Sequence, residues 1–254
     1  MYLRSRRVAL TTLAVSSLLL LSACGGDSGS DSGAKTGSSA KSTDKTDKGA
    51  AAAPESITAE QAKQALVTVK DLPTGWKQEP DTGMDKSQGA DEDTVSGVKP
   101  LCEPIAALLN TGRLEEDHKA NAQAVFKKTG DQTTVAQDVS GYTRAEAEKA
   151  MTGLKAAVSQ CGTFTGKQGG KPATLTVKKA VQQPKYGDES VSYTLKVVQG
   201  DMQMDFDMGT IRSHGAITTV LNNYSDTGDR GKAAFTKALA AAGEKLTAAA
   251  AKTP

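Results

Sequence analysis

The feature that most restricts the fold of this chain is a stretch of 32 residues from which no core can be built. Residues 25–56 lack Val, Ile, Leu, Met and aromatic residues, and are mainly Gly, Ser, Ala, Thr, Lys and Asp. Such a segment buries too little apolar surface to offset the entropy lost on ordering. We therefore predict a disordered tether that spans roughly 30 Å root-mean-square as a flexible coil. The folded domain is expected to begin at Ile57.

The residues before the tether have the pattern of a secretory leader. Met1–Arg7 is basic, and Val8–Leu21 is an apolar stretch of 14 residues interrupted only by Ser and Thr, which is short for a membrane-spanning helix. Leu21-Ser22-Ala23-Cys24 resembles a bacterial lipobox, which implies transfer of a diacylglyceryl group, typically palmitate-bearing, to Cys24. The alternative is a plain secretory peptide with a chance cysteine. We predict a signal peptide over residues 1–23 and anchoring to membrane lipid through acylated Cys24, on the extracytoplasmic face, without a membrane span.

The cysteine count agrees with this leader. The chain has three cysteines, an awkward number for a secreted protein. If lipidation uses Cys24, Cys102 and Cys161 remain in an oxidising compartment, where we predict a disulfide between them. The bridge would close a loop of about 60 residues, worth roughly 4 kcal/mol on the chain-entropy model. A metal-binding or catalytic role for either thiol is the alternative.

The pattern after Ile57 predicts a single α+β domain over residues 57–246, with a frayed tail at 247–254. Capping boxes at Thr58 and Thr143 each predict a helix start. A short helix is expected after Cys102, another helix over Asp229–Lys245, and a surface loop over Asp81–Lys99. Alternating apolar residues predict strands, which are 120–128, 133–142, 174–181, 190–199, 202–213 and 216–223. Short turns between them favour a twisted antiparallel sheet of about five to six strands packed against two to three helices, with one disulfide.

Three blocks of this domain resemble a known family. They are Val135–Tyr142 followed by the helix that ends at Cys161, the strand Ile211-Arg212-Ser213-His214-Gly215, and Leu72-Pro73-Thr74-Gly75-Trp76. Together they are similar to the extracellular sensor domain of mycobacterial PknH-type Ser/Thr kinases and to related actinobacterial lipoproteins. The resemblance implies an antiparallel sheet with helices and a cleft for an unidentified ligand. It departs from the family in having cysteines for one disulfide rather than two and no kinase domain, so that any signal would pass through another protein.

The residues that most often carry catalysis are few. The two histidines are His118, in a run of charged residues, and His214, in a predicted turn, and we expect both on the solvated surface. A Ser–His–acid triad would need one of them, and the chain has no Gly-x-Ser-x-Gly elbow. Removing residues 1–23 leaves 28 basic and 29 acidic residues, so charge gives no reason to expect nucleic-acid binding. Aromatic residues make up only 4%, which is unfavourable for stacking of sugars or bases.

The strand at 202–213 has two chemically distinct faces. Asp201, Asp205 and Asp207 share one face and could bind a hard cation, although outward carboxylates on a strand are ordinarily solvated. The opposite face carries methionines that could bind Cu(I), although a core face is favoured, and these are Met202, Met204 and Met208. We therefore expect no metal site.

Two further features have a structural and a functional interpretation. Gly166-Lys167-Gln168-Gly169-Gly170-Lys171-Pro172 lacks the spacing of a phosphate-binding loop, and a hairpin or linker is favoured. Trp76, the only tryptophan, is expected to anchor the core, with the lining of a cleft as the alternative.

These observations favour a non-enzymatic lipoprotein without a cofactor, sensor-like or binding a small ligand or wall component between the sheet and a helix. The alternative is a protein-interaction module of a cell-envelope complex that has no ligand pocket. An extracytoplasmic hydrolase is the weakest hypothesis. A deep apolar cavity would favour ligand binding, and a filled helix–sheet interface would favour interaction.

Overall fold

The computed structural model describes residues 56–80, 94–183, 185–224 and 231–252. The predicted signal peptide, Cys24, the tether up to residue 55 and most of the expected loop at 81–99 lie outside the described residues. Their assignments therefore stay predictions.

The sheet is larger than the sequence pattern indicated. In the described ranges, nine antiparallel strands lie in the order β1-β3-β4-β9-β8-β7-β6-β5-β2. They are β1 (Trp76–Gln78), β2 (Val95–Ser96), β3 (Ala120–Lys128), β4 (Thr134–Gly141), β5 (Thr163–Gln168), β6 (Lys171–Lys179), β7 (Glu189–Gln199), β8 (Met202–Ser213) and β9 (Ala216–Tyr224). All six predicted strands are present, and the estimate of five to six strands is wrong because β1, β2 and β5 were missed. Two of these are only two and three residues long, and β5 has a single large apolar side chain, Phe164, so none shows an alternating pattern.

Four helices occur in the described ranges rather than two to three. They are α1 (Ala59–Gln64), α2 (Glu103–Thr111), α3 (Arg144–Gln160) and α4 (Lys232–Ala250), and short 3₁₀ turns lie at Val69–Asp71 and Pro100–Cys102. Both predicted capping boxes are formed, at Thr58 and Thr143. Helix α4 continues to Ala250 with Ala249 and Ala250 buried, which corrects the expected fraying of those residues. None of the helices in the described ranges is both long and apolar enough to cross a membrane.

Helices cover both faces of the sheet. Helices α2 and α3 pack on one face, which we call the disulfide face, where Ile105, Met151 and Leu154 are fully buried against strand residues such as Leu195. The predicted Cys102–Cys161 disulfide is formed here, with Cα atoms 5.9 Å apart and both residues buried. Because Cys102 precedes α2 and Cys161 follows α3, the bridge joins the two helices of this face.

The other face is only partly covered. Helix α4 lies across β8 and β9, and α1 lies across β3 and β4, over a second core that contains Phe126 and Val220. Helix α4 approaches the sheet closely at Gly209, where a Cβ atom would lie 2.6 Å from the side chain of Leu239. The remaining half of this face, formed by β5, β6 and β7, presents its side chains outward.

Candidate functional site

The uncovered half of the sheet is a regular polar surface, which we call the open face. Alternation along β5, β6 and β7 buries residues such as Phe164, Leu175 and Leu195 on the disulfide face and turns their neighbours outward. The outward side chains that define the open face are Thr163, Thr165, Lys167, Thr174, Thr176, Lys178, Thr194 and Lys196. All of them are exposed except Thr176, which is half-buried. Strand register pairs Thr163 with Thr176 and Thr165 with Thr174, so the hydroxyl groups form rows across the strands.

A groove of about 420 Å³ lies where the open face meets the first turn of α4. It is lined by Thr176, Lys178, Thr194, Leu195, Lys196, Gln203, Asp205, Asp207, Tyr224 and Lys232. All lining residues except Leu195 are polar or charged and the groove opens to solvent, unlike the apolar cavity between sheet and helix that the sequence suggested for a ligand.

The two carboxylates of the groove have protein partners. Gln203 Nε2 donates to Asp205 Oδ2 at 2.6 Å, and Lys196 Nζ lies 3.9 Å from Asp205 Oδ1. Asp207 is buried and accepts a hydrogen bond of 3.1 Å from Asn222 Nδ2. Asp201, the third predicted member of this acidic face, lies in the β7–β8 turn and does not line the groove. Within the described ranges no three His, Cys, Asp or Glu residues are grouped as metal ligands, so the fold does not assemble the three aspartates into a cation site.

The lysine side chains of the open face have fewer protein partners than the two carboxylates of the groove. The side chains of Lys167 and Lys178 are exposed and form no hydrogen bond or ion pair with any described residue. Lys196 is 46% exposed, and its one ion pair with a described residue joins its Nζ to Asp205 Oδ1 at 3.9 Å. No acidic side chain of β5, β6 or β7 points to this side, because Glu189 lies on the disulfide face with Lys155 and Arg212. The open face therefore presents ammonium and hydroxyl groups without neutralising carboxylates on its three strands.

A second polar cluster is buried on the disulfide face around Asp138. Its carboxylate accepts hydrogen bonds from Asn121 Nδ2 at 2.7 Å, Gln123 Nε2 at 2.8 Å and Ser140 Oγ at 2.6 Å, and Arg113 lies 4.0 Å away. Burial raises the pKa of Asp138 to about 6, against the opposing effects of these hydrogen bonds and of Arg113. The network connects β3 and β4 to the segment after α2, so we interpret it as structural.

An ion cluster at the end of β8 holds Arg212, which is 8% exposed. Its guanidinium donates to Glu189 and to Asp188, the latter at 3.1 Å, and lies 3.8 Å from Glu148 of α3. The charges link the β7–β8 hairpin to α3. Arg212 thus belongs to the framework of the domain rather than to the groove.

Neither histidine is placed in a catalytic arrangement with an acid. His214 is exposed in the β8–β9 turn at φ 55°, and its Nδ1 lies 3.4 Å from the buried Ser213 Oγ. Asp188 accepts from the backbone N–H of His214 and not from its ring. His118 Nδ1 lies 2.7 Å from the carbonyl oxygen of Glu116.

The remaining predicted residues are structural. Met208 is fully buried and Met204 half-buried in the core, as expected, whereas Met202 is 50% exposed and the core assignment was wrong for it. The glycine-rich segment at 166–172 is the β5–β6 hairpin, with Gly169 and Gly170 in the left-handed region. Trp76 is 5% exposed in the second core, which confirms its role as an anchor.

The sequence missed the open face and Asp138. The outward Thr and Lys residues of β6 and β7 were visible in the pattern, but an alternating strand has the same appearance whether its polar face is free or covered. Asp138 occupies such a polar position in β4, and nothing local distinguishes it from an exposed aspartate.

The described residues thus define an α+β domain with a nine-stranded antiparallel sheet and helices on both faces. No protein family and no curated protein matches the sequence. Among solved structures, the chain is similar to the crystal structure of the extracellular domain of PknH from Mycobacterium tuberculosis. The identity is 13%, the match covers 74% of this chain and 97% of that chain, and the TM-score is 0.49. The three sequence blocks described above resemble the same type of domain, the extracellular domain of PknH-type kinases.

Proposed function

We propose that this protein is a lipid-anchored lipoprotein of the extracytoplasmic membrane face, whose domain binds a polar envelope component at the open face without catalysing a reaction. The observation that carries the proposal is the groove beside α4, where exposed lysines and threonines meet the two partnered carboxylates. A sensor-like role would follow if occupancy of the groove were passed to another protein.

The anchor rests on the lipobox-like Leu21-Ser22-Ala23-Cys24 and the apolar stretch before it. Two acyl chains hold a protein stably on a membrane, whereas one chain binds marginally. A tether of about 30 Å would then place the domain off the lipid surface, within reach of wall components.

The anchor is tested by replacing Cys24 with Ala and fractionating cells. We expect the variant to leave the membrane fraction, while a matched S30A variant in the tether stays there. Mass spectrometry of the N-terminal peptide of the wild type should show a diacylglyceryl modification on Cys24. Retention of C24A in the membrane fraction would contradict the anchor.

Ligand binding is tested by native mass spectrometry of the protein purified from the membranes of its own cells. We expect a reproducible additional mass on the wild type. T194Y places a ring in the groove at an exposed strand position and should abolish that mass. T152Y, an exposed position on α3 at the other side of the sheet, should retain it. A bare wild-type protein, or equal occupancy in both variants, would contradict binding in the groove.

The alternative function, a protein-interaction module of an envelope complex, also has a specific observation in its favour. Both helix–sheet interfaces are filled with buried side chains, among them Leu154 on the disulfide face and Leu246 on the other. If the wild type is repeatedly bare, in-cell crosslinking from Lys178 should recover a partner protein.

A further inference from the structure

The lysines of the open face are spread along the strands rather than gathered at one point. Strand register places Lys178 opposite Thr194, and Lys196 opposite Thr176, two residues further along β6. Lys167 lies opposite Pro172, six residues along β6 from Lys178. At about 3.3 Å per residue, these ammonium groups extend over about 20 Å of the sheet. One small anion cannot contact all three.

Hydroxyl groups fill the interval between the charges. Thr176 and Thr163 lie in the same row as Lys196, and Thr174 and Thr165 lie in the next row towards Lys167. A threonine hydroxyl can donate to an oxyanion and accept from a hydroxyl group. The surface therefore offers a continuous path of hydrogen-bonding groups from one lysine to the next.

The charge along this path has one sign. The outward side chains of β5, β6 and β7 include three lysines and no carboxylate. The nearest acids are Asp205 and Asp207 on the neighbouring strand β8. Asp205 lies 3.9 Å from Lys196 and accepts a hydrogen bond from Gln203, and Asp207 accepts one from Asn222. The three strands also present no outward aromatic ring, so stacking of sugars or bases does not contribute. Recognition must rely on charge and hydrogen bonds.

We propose that the open face binds an extended polyanion whose repeating units carry phosphate groups, with the polymer lying along β6 between Lys178 and Lys167. This deepens the function proposed above, on which it rests, by assigning the chemical class of the ligand. Several ammonium–phosphate contacts along one chain make affinity strongly dependent on salt, because binding releases counterions from the polyanion.

The experiment measures binding of fluorescently labelled inorganic polyphosphate to the full-length protein in detergent, by anisotropy over a series of salt concentrations. The test variant is K167Q/K178Q/K196Q. The control variant is K63Q/K149Q/K237Q, which removes the same charge from exposed positions on α1, α3 and α4. Thermal melting verifies that both variants are folded.

We expect the test variant to lose at least tenfold in affinity at low salt. Its slope of log affinity against log salt should fall by about two, since each phosphate contact contributes roughly 0.7–0.9 to the slope in nucleic acids. The control variant should stay within about twofold of the wild type. Equal losses in both variants, or wild-type binding by the test variant, would overturn the proposal.

Two further arms separate the possible explanations. T165V/T174V keeps the charge and removes two hydroxyl groups from the path, so it should weaken binding measurably if the polymer lies there. Binding to phosphatidylglycerol vesicles without binding to polyphosphate would overturn the polymer in favour of a lipid surface. Polyphosphate binding is compared with the native mass spectra. If the wild type carries an additional mass that T194Y lacks, but polyphosphate does not bind the wild type, only the ligand class is wrong. If no adduct is found and polyphosphate does not bind, the proposed function fails as well.

Discussion

We expect the free energy of unfolding of this domain to rise as the pH falls from 7 to 5, because the buried carboxyl group of Asp138 becomes protonated in this range. The carboxyl group is 2% exposed, and burial raises its pKa to about 6, compared with 3.8 for the group in an unfolded chain. Arg113 and Tyr142 are the ionisable groups that face it. Because the folded state binds the proton more tightly than the unfolded state, protonation favours folding.

The size of the effect follows from the two pKa values. Well above pH 6, the ionised carboxylate makes the folded state less stable by about 3 kcal/mol than the protonated form would. This value is the difference of about 2.2 between the folded and unfolded pKa values, multiplied by about 1.36 kcal/mol per pKa unit. Most of this cost is removed between pH 6 and pH 4. Between pH 7 and pH 5 the free energy of unfolding should rise by about 1.3 kcal/mol.

Other carboxyl groups affect the stability of the domain at lower pH. The Thr133 side chain lowers the pKa of Asp131, and the Thr143 backbone N–H lowers that of Glu146. Groups with a lowered pKa stabilise the fold above their unfolded pKa, and that stability is lost as the pH falls through the folded pKa. Their titration therefore opposes Asp138 mainly below about pH 4.5, which leaves the range from 7 to 5 to Asp138.

Urea denaturation at pH 7, 6 and 5 measures this directly. The D138N variant keeps an acceptor oxygen for Asn121 and Gln123 and should abolish the rise in stability. D117N, which removes an exposed carboxylate from the segment after α2, should keep the rise. If wild-type stability is constant or falls between pH 7 and 5, or if D138N rises as the wild type does, the assignment of Asp138 as a buried ionised group is wrong.

Three predictions concern the packing of the domain. Replacing Cys102 and Cys161 together with Ala should lower the free energy of unfolding by about 4 kcal/mol in urea denaturation, because the bridge spans a sequence separation of 59; a loss below about 1 kcal/mol would contradict this. Tyr193→Phe should leave stability unchanged or raise it by up to about 1 kcal/mol, because the buried hydroxyl has no hydrogen-bond partner among the described residues; a clear drop in melting temperature would show that a partner exists. Gly209→Ala should lower the free energy of unfolding by about 1–3 kcal/mol, because the added Cβ would lie 2.6 Å from the side chain of Leu239 in α4. Gly162→Ala adds a Cβ in open space and should be nearly neutral, so equal melting temperatures of the two variants would refute the close approach of α4.

Much of the fold could be predicted because the signals are local. The capping box at Thr143 and the apolar period behind it define the start of α3, and the alternation in β7 and β8 defines two long neighbouring strands. The pairing of Cys102 with Cys161 followed from the cysteine count. In contrast, β2 consists of Val95 and Ser96 only, and it is a strand because β5 lies beside it.

The sequence alone determined which segments can fold and where the long elements lie, since composition, capping and periodicity act between residues a few positions apart. The tertiary structure decided which polar residues are buried and which are free. Asp138 is buried because α2, β3 and β4 meet around it, and the lysines of β5 to β7 are exposed because α4 covers β8 and β9 instead. Both outcomes depend on contacts between residues far apart in the chain, and polar alternation along a strand is the same in either case.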